Sequence, residues 1–106
     1  MILRLSHKLA TKIKAGRLSE SPLAENSFTD WSCHVFTADR TQHIIVCNTA
    51  LMYSCVVHAR GIRNDGQFIQ LVLGLIREFM ENDGEGDIYH RHVAPSSDTV
   101  EFAKAL

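Results

Sequence analysis

No stretch of this sequence stays apolar for long. The longest near-apolar run, around Phe68 to Leu75, contains Gln70 and falls far short of the ~20 residues that a bilayer-spanning helix needs. Met1-Ile2-Leu3-Arg4-Leu5 offers neither an apolar stretch of signal-peptide length nor a small-residue cleavage site. Cysteine is scarce and odd in number: Cys33, Cys47 and Cys55 show no CxxC spacing, which argues for reduced thiols rather than a disulfide framework. These absences together predict a cytoplasmic protein. The HExxH, GxSxG and GxxxxGK[ST] patterns are absent too, so no common zinc-protease, hydrolase or phosphate-loop signature is written in the chain. There is no internal repeat and no low-complexity segment. The net charge of −1 creates no global field to draw nucleic acid or a membrane.

What is present is an ordinary core pattern. Apolar residues make up 45% of 106 positions, the level of one globular domain spanning 1–106. Each core Leu, Ile or Phe contributes roughly 1.5–3 kcal/mol on burial, enough in sum to order the chain without metal or disulfide staples. Met1–Leu5 reads as a short strand. Ser6 is a helix N-cap, Leu9 and Ile13 share one face of a helix from about His7 to Ala15, and Gly16 suits the left-handed residue that ends it. Arg17 to Asp30 reads as an irregular connection. Trp31–Thr37, His43–Thr49 and Leu51–His58 read as strands joined by short turns, hence an antiparallel meander. Phe68, Val72, Leu75, Ile76, Phe79 and Met80 recur at helical spacing over 65–82, with Asn64 and Gln67 as a capping box. Asp87 to Val93 alternates like a strand, and Thr99 to Phe102 is a further one. The predicted class is α+β: a mixed, largely antiparallel sheet with two helices, in the order β-α-β-β-β-α-β(-β).

Candidate chemistry is thin. His90 and His92, two apart on a strand, would project from one face and suit two ligands of a metal, with His34, His58 or Asp87 as a third. None sits at a diagnostic offset, and two ordinary histidines explain the spacing better. Asp83-Gly84-Glu85-Gly86-Asp87 starts like a calcium loop but has Ile88 and Ala94 where glycine and glutamate are required. Cys33 and His34 are adjacent on a strand and so face opposite sides, which prevents them from pairing as nucleophile and base; Cys47 and Cys55 lie in apolar strands and are expected to react slowly. Trp31 could stack a ligand but is more simply a core residue. Charge is unevenly spread: residues 1–63 carry eight Lys/Arg against four Asp/Glu, and residues 64–106 three against eight. Arg4, Lys8, Lys12, Lys14 and Arg17 concentrate the basic half, and a stripe of Lys8 and Lys12 could meet phosphates, though a solvated helix face explains it equally well.

Three stretches carry a family likeness: Ile2-Leu3-Arg4-Leu5-Ser6 with Lys8-Leu9, Trp31 with Phe36-Thr37-Ala38-Asp39-Arg40, and Val100-Glu101-Phe102-Ala103-Lys104. In these the chain resembles a family of small uncharacterised bacterial proteins, a domain of unknown function. The resemblance implies a bacterial or mobile-element accessory protein. It supplies no catalytic, cofactor-binding or metal-binding residue, and it implies relatives that continue beyond Leu106, making this a short or truncated member. The expectation is a non-catalytic binding or interaction module without a cofactor. The alternatives are a nucleic-acid-associated protein of the toxin–antitoxin kind, or a metal-dependent hydrolase using His90 and His92. Self-association into a homodimer is expected if Ile44-Ile45-Val46 lies at a sheet edge or has an uncovered outward face.

Overall fold

The computed structural model describes residues 1–106. Five strands form one sheet: β1 (Ile2–Leu5), β2 (Asp30–Ala38), β3 (Thr41–Asn48), β4 (Ser54–His58) and β5 (Glu101–Lys104), in the order β4-β3-β2-β1-β5. The meander β2-β3-β4 is antiparallel, as its short turns require. Strand β1 runs parallel to both β2 and β5, so the sheet is mixed. Two helices complete the main architecture, α1 (His7–Ile13) and α2 (Asp65–Asn82), and the fold is α+β.

Cross-strand pairing sorts the side chains cleanly into two faces. Leu3 lies opposite Trp31, Leu5 opposite Cys33, Cys33 opposite Val46, and Val46 opposite Cys55, and all of these are buried. Leu9 and Ile13 of α1, and Phe68, Val72 and Ile76 of α2, join the same cluster. Both helices therefore cover one face of the sheet. The opposite face carries two cross-strand rows, His34–Ile45–Val56 and Phe36–His43–His58, whose members are half-buried or exposed. Within α2, Leu75 and Phe79 flank the buried stripe instead of belonging to it; Phe68, Val72, Ile76 and Met80, at spacings of four, are the fully covered positions.

Local signals explain where the elements begin and end. The Ser6 hydroxyl accepts from the Leu9 amide at 3.3 Å and starts α1. The left-handed cap falls on Lys14 (φ 57°, ψ 46°), two residues before Gly16, with the Lys14 amide donating back to the last turn. At α2 the Asn64 side chain accepts from the Gln67 amide at 2.9 Å, and the Gln67 side chain accepts from Arg63 at 2.8 Å, a capping box displaced by one residue.

The segment Asp87–Val93 is not a strand. It is a helical run made of α3 (Gly86–Ile88), a five-residue π turn (Tyr89–Val93) and a 3-10 turn (Ala94–Ser96). Its buried residues, Tyr89 and Val93, are four apart, and Arg91 between them is exposed; a strand would put all three on one face, so the pattern selects a helix over the two-residue alternation. Isoleucines 44 and 45 and Val46 are not at an edge either, because β4 covers that side of β3.

One ion pair lies inside this structure. Arg4 of β1 and Asp30 of β2 are 1% and 0% exposed, joined by Nε–Oδ1 at 2.8 Å and Nη2–Oδ2 at 2.9 Å. The remaining guanidinium hydrogens go to carbonyls: Nη1 donates to Ser21 and Lys104, Nη2 to Pro22. The five donors of Arg4 are thus all used. Asp30 also accepts from the Thr49 hydroxyl at 2.7 Å and the Ala24 amide at 3.0 Å. Burial by itself pushes the Asp30 carboxyl upward, but the hydrogen bonds from Arg4, Ala24 and Thr49, with the guanidinium charge, outweigh it and hold the group below the usual carboxylate value. Replacing either partner alone, as in Arg4→Met or Asp30→Leu, leaves an uncompensated buried charge and is expected to cost roughly 3–5 kcal/mol in urea unfolding. A depressed folded-state pKa gives stability that is present above the unfolded carboxylate pKa and is lost as pH falls through the folded one. Unfolding free energies measured from neutral pH downward should therefore decline in acid, and Asp30→Asn should flatten that decline.

Candidate binding cleft

The tight connection between β3 and β4 is organised by a buried asparagine. Asn48 donates from Nδ2 to the Ser27 carbonyl at 2.8 Å, and its Oδ1 accepts from the amides of Ala50 and Leu51 at 3.2 and 2.9 Å. This Asx-type geometry turns the chain within a few residues and places Met52 at φ 59°. The turn projects Leu51 and Met52 into solvent, at 53% and 72% exposure. Beside it lies a cleft of about 180 Å³. Its walls are apolar: Phe28, Trp31, Leu51, Tyr53, Met80 and Ile88. Asn48 and Glu85 supply the polar part of the lining.

The walls come from four parts of the chain. Trp31 sits in β2 with its indole N–H donated to the Phe28 carbonyl at 2.9 Å, so the ring is fixed and its nitrogen satisfied. Tyr53 meets Trp31 edge-on at a centroid distance of 6.5 Å and Phe79 at 5.5 Å. Its hydroxyl donates to Asp83 at 3.0 Å and to the Phe79 carbonyl at 3.3 Å. Burial and the adjacent Asp83 carboxylate push the phenol up to about 12, so it stays a neutral donor. Met80 closes the floor from α2 and Ile88 one wall from α3. The sequence marked Trp31 as a strand residue that could stack a ligand and Tyr53 as a strand residue; that Met80 and Ile88 join them depends on contacts between distant segments.

The residues singled out from sequence are dispersed. His90 and His92 lie two residues apart in the π turn, roughly half a turn around its axis, and do not share a face. His90 Nε2 is 3.9 Å from Glu81, while the His92 ring stacks on Phe28 at 5.3 Å. No three His, Cys, Asp or Glu side chains converge in a way that could hold a metal ion. The acidic stretch is divided among roles: Asp83 caps α2 and receives Tyr53, Gly84 takes φ 80° to reverse the chain, and Glu85 lines the cleft. Cys33 is buried and His34 exposed, on opposite faces of β2 as expected. The basic stripe loses Arg4 to Asp30. Lys14 and Arg17 border an open depression of about 980 Å³ beside α1, but Lys104 on its rim is paired with Glu20 at 3.0 Å.

The sequence model of the domain of unknown function DUF6933 matches residues 2–106. The chain belongs to the DUF6933 family. No curated protein and no solved structure matches it. No helix of this DUF6933 chain is long and apolar enough to cross a membrane.

Thiol chemistry in the DUF6933 sheet follows its two faces. Burial raises the pKa of Cys33, and that of Cys55 to about 11, in both cases with a smaller contribution from neighbouring cysteines. Cys47, expected from sequence to resemble Cys55, lies on the open face and is only half-buried. A thiol reagent added to the native protein near pH 8 should modify Cys47 first and leave Cys33 and Cys55 until the chain unfolds. Mass spectrometry of the labelled peptides checks this; early labelling of Cys33 would contradict the packing of the covered face.

Proposed function

We propose that the protein is a non-catalytic interaction module, and that its cleft receives one apolar side chain of a protein partner. The cleft's volume supports this reading. An apolar cavity of ~150 Å³ is large enough for benzene, so about 180 Å³ suits a single aromatic ring or branched aliphatic group and is small for a metabolite. Exposed Leu51 and Met52 on the bordering turn extend the apolar surface beyond the hole, as at interfaces where a central pocket is ringed by weaker contacts. The unpaired thiols of Cys33, Cys47 and Cys55 fit a reducing cytoplasm, and the likeness to small bacterial proteins fits an accessory or mobile-element setting.

The test is a peptide-display selection on the native protein, repeated on Ile88→Trp, which fills the cleft. Selected peptides should share an aromatic or leucine anchor and should lose most of their affinity for the filled variant. Peptides without an anchor, or binding indifferent to Ile88→Trp, would sink the proposal.

Self-association is a second reading, favoured by the uncovered face of the sheet. Ile45 and Val56 sit side by side there, and Val56 is 51% exposed on the free edge strand β4. The opposite edge is already sealed, since Ser19 pairs alongside Ala103 of β5. A two-fold partner packed on this face of β3 and β4 would cover both residues. Light scattering at micromolar concentration should then give twice the 11.9 kDa chain mass, falling on dilution and in Val56→Lys. A concentration-independent monomer mass overturns this second reading. The nucleic-acid alternative is weaker, because Arg4 and Lys104 are held by Asp30 and Glu20.

A further inference from the structure

On the uncovered face, away from the cleft, two histidines stand directly opposite one another. His43 of β3 pairs with His58 of β4. The Ala59 amide donates to the Gln42 carbonyl at 3.0 Å, which makes His43 and His58 a non-hydrogen-bonded pair, the kind whose side chains approach most closely. Their ring centroids are 4.7 Å apart with the planes inclined by 37°. Two imidazoles bound to one late transition ion at ~2.0–2.1 Å, and 90–110° apart around it, have centroids separated by roughly 4.5–5.2 Å. The observed spacing falls inside that window.

The tautomer and orientation of His43 are also set. Its Nδ1 lies 3.0 Å from the Thr41 carbonyl, an acceptor only, so Nδ1 carries the proton and Nε2 keeps its lone pair. A ring nitrogen anchored to a backbone carbonyl while the other stays free is the arrangement that orients metal-ligating histidines. Phe36 of β2 stacks on the other side of the same ring, away from His58, at 5.4 Å and 20°, which restricts its rotation. His58 is exposed, at the end of β4.

We propose that His43 and His58 form a two-imidazole site for a divalent late transition ion, Zn²⁺, Ni²⁺ or Cu²⁺, whose other positions are filled by water. Imidazole is the ligand type these ions share, and two protein ligands leave coordination positions open. Such a site is distinct from the His90 and His92 pair, whose side chains diverge, and it does not depend on the cleft's occupant.

Titration with Zn²⁺ alone, in a non-coordinating buffer, reads the site without oxidising the thiols. The native protein should bind one ion per chain. His43→Ala and His58→Ala should each weaken binding by roughly 10²-fold, as a two-point attachment becomes one-point, while His34→Ala and a His90→Ala/His92→Ala double variant should leave it unchanged. Independently of any variant, substoichiometric Ni²⁺ should broaden the ring resonances of His43 and His58 before those of the other histidines. Binding that survives either single substitution, or broadening led by other rings, overturns the proposal.

Discussion

The Arg4–Asp30 pair is the constraint around which the chain is arranged. It ties five separate pieces together: β1 and β2 through the two side chains, the 21–24 segment through Ser21, Pro22 and Ala24, the end of β3 through Thr49, and β5 through the Lys104 carbonyl. Apolar contacts are non-directional and would tolerate several registers of a four-residue strand. A guanidinium with five fixed donors does not. A slip of β1 by one residue would turn Arg4 to the helix-covered face and Leu3 and Leu5 out of the core, because strand side chains alternate. The ion pair therefore specifies the parallel register of the least self-sufficient strand. Ion pairs of this kind are expensive to desolvate, so what Arg4 adds is selection among arrangements more than net stability.

How far the sequence carried depends on whether each signal was local. Helix α2 was legible because its stripe repeats over eighteen residues and its cap residues lie within four positions of each other. The β2-β3-β4 meander was legible from alternation and short turns. The Asp87–Val93 run was not, because Tyr89 and Val93 share a face in a strand and in a helix alike; only the exposure of Arg91 between them separates the two. Arg4 looked like part of a basic stripe, since nothing near it in sequence announces Asp30, twenty-six residues on. The cleft was illegible for the same reason: the Phe28–Trp31 stretch, Met80 and Ile88 come from separate segments. Of its features, the tryptophan and the short turn between the second and third meander strands were visible, but their convergence was not.

The two faces of the sheet divide the work. Helices α1 and α2 both lie on the same side, so the core is one-sided and the other side is left with Ile45, Val56, Cys47 and the imidazoles. The segment after α1 covers only the β1–β5 end of that side, where Ser19 pairs with β5 and Ala24 bonds the buried carboxylate. It seals one edge and caps the ion pair at that end of the sheet. The far end, near β4, is left bare as a direct result.

That bareness links the small-scale features to one another. With no helix above β3 and β4, His43 and His58 have room to stand face to face, and Phe36 packs against an imidazole rather than into a core. A helix laid across that face would bury both rings in an apolar environment, where charging either imidazole would be costly. The same absence leaves Cys47 half-open while Cys33 and Cys55, one residue out of phase with the open rows, are enclosed. The placement of reactive and ligand-capable side chains thus follows from the topology: both helices lie on one face, and the 17–24 segment covers the other only over Arg4 and Asp30.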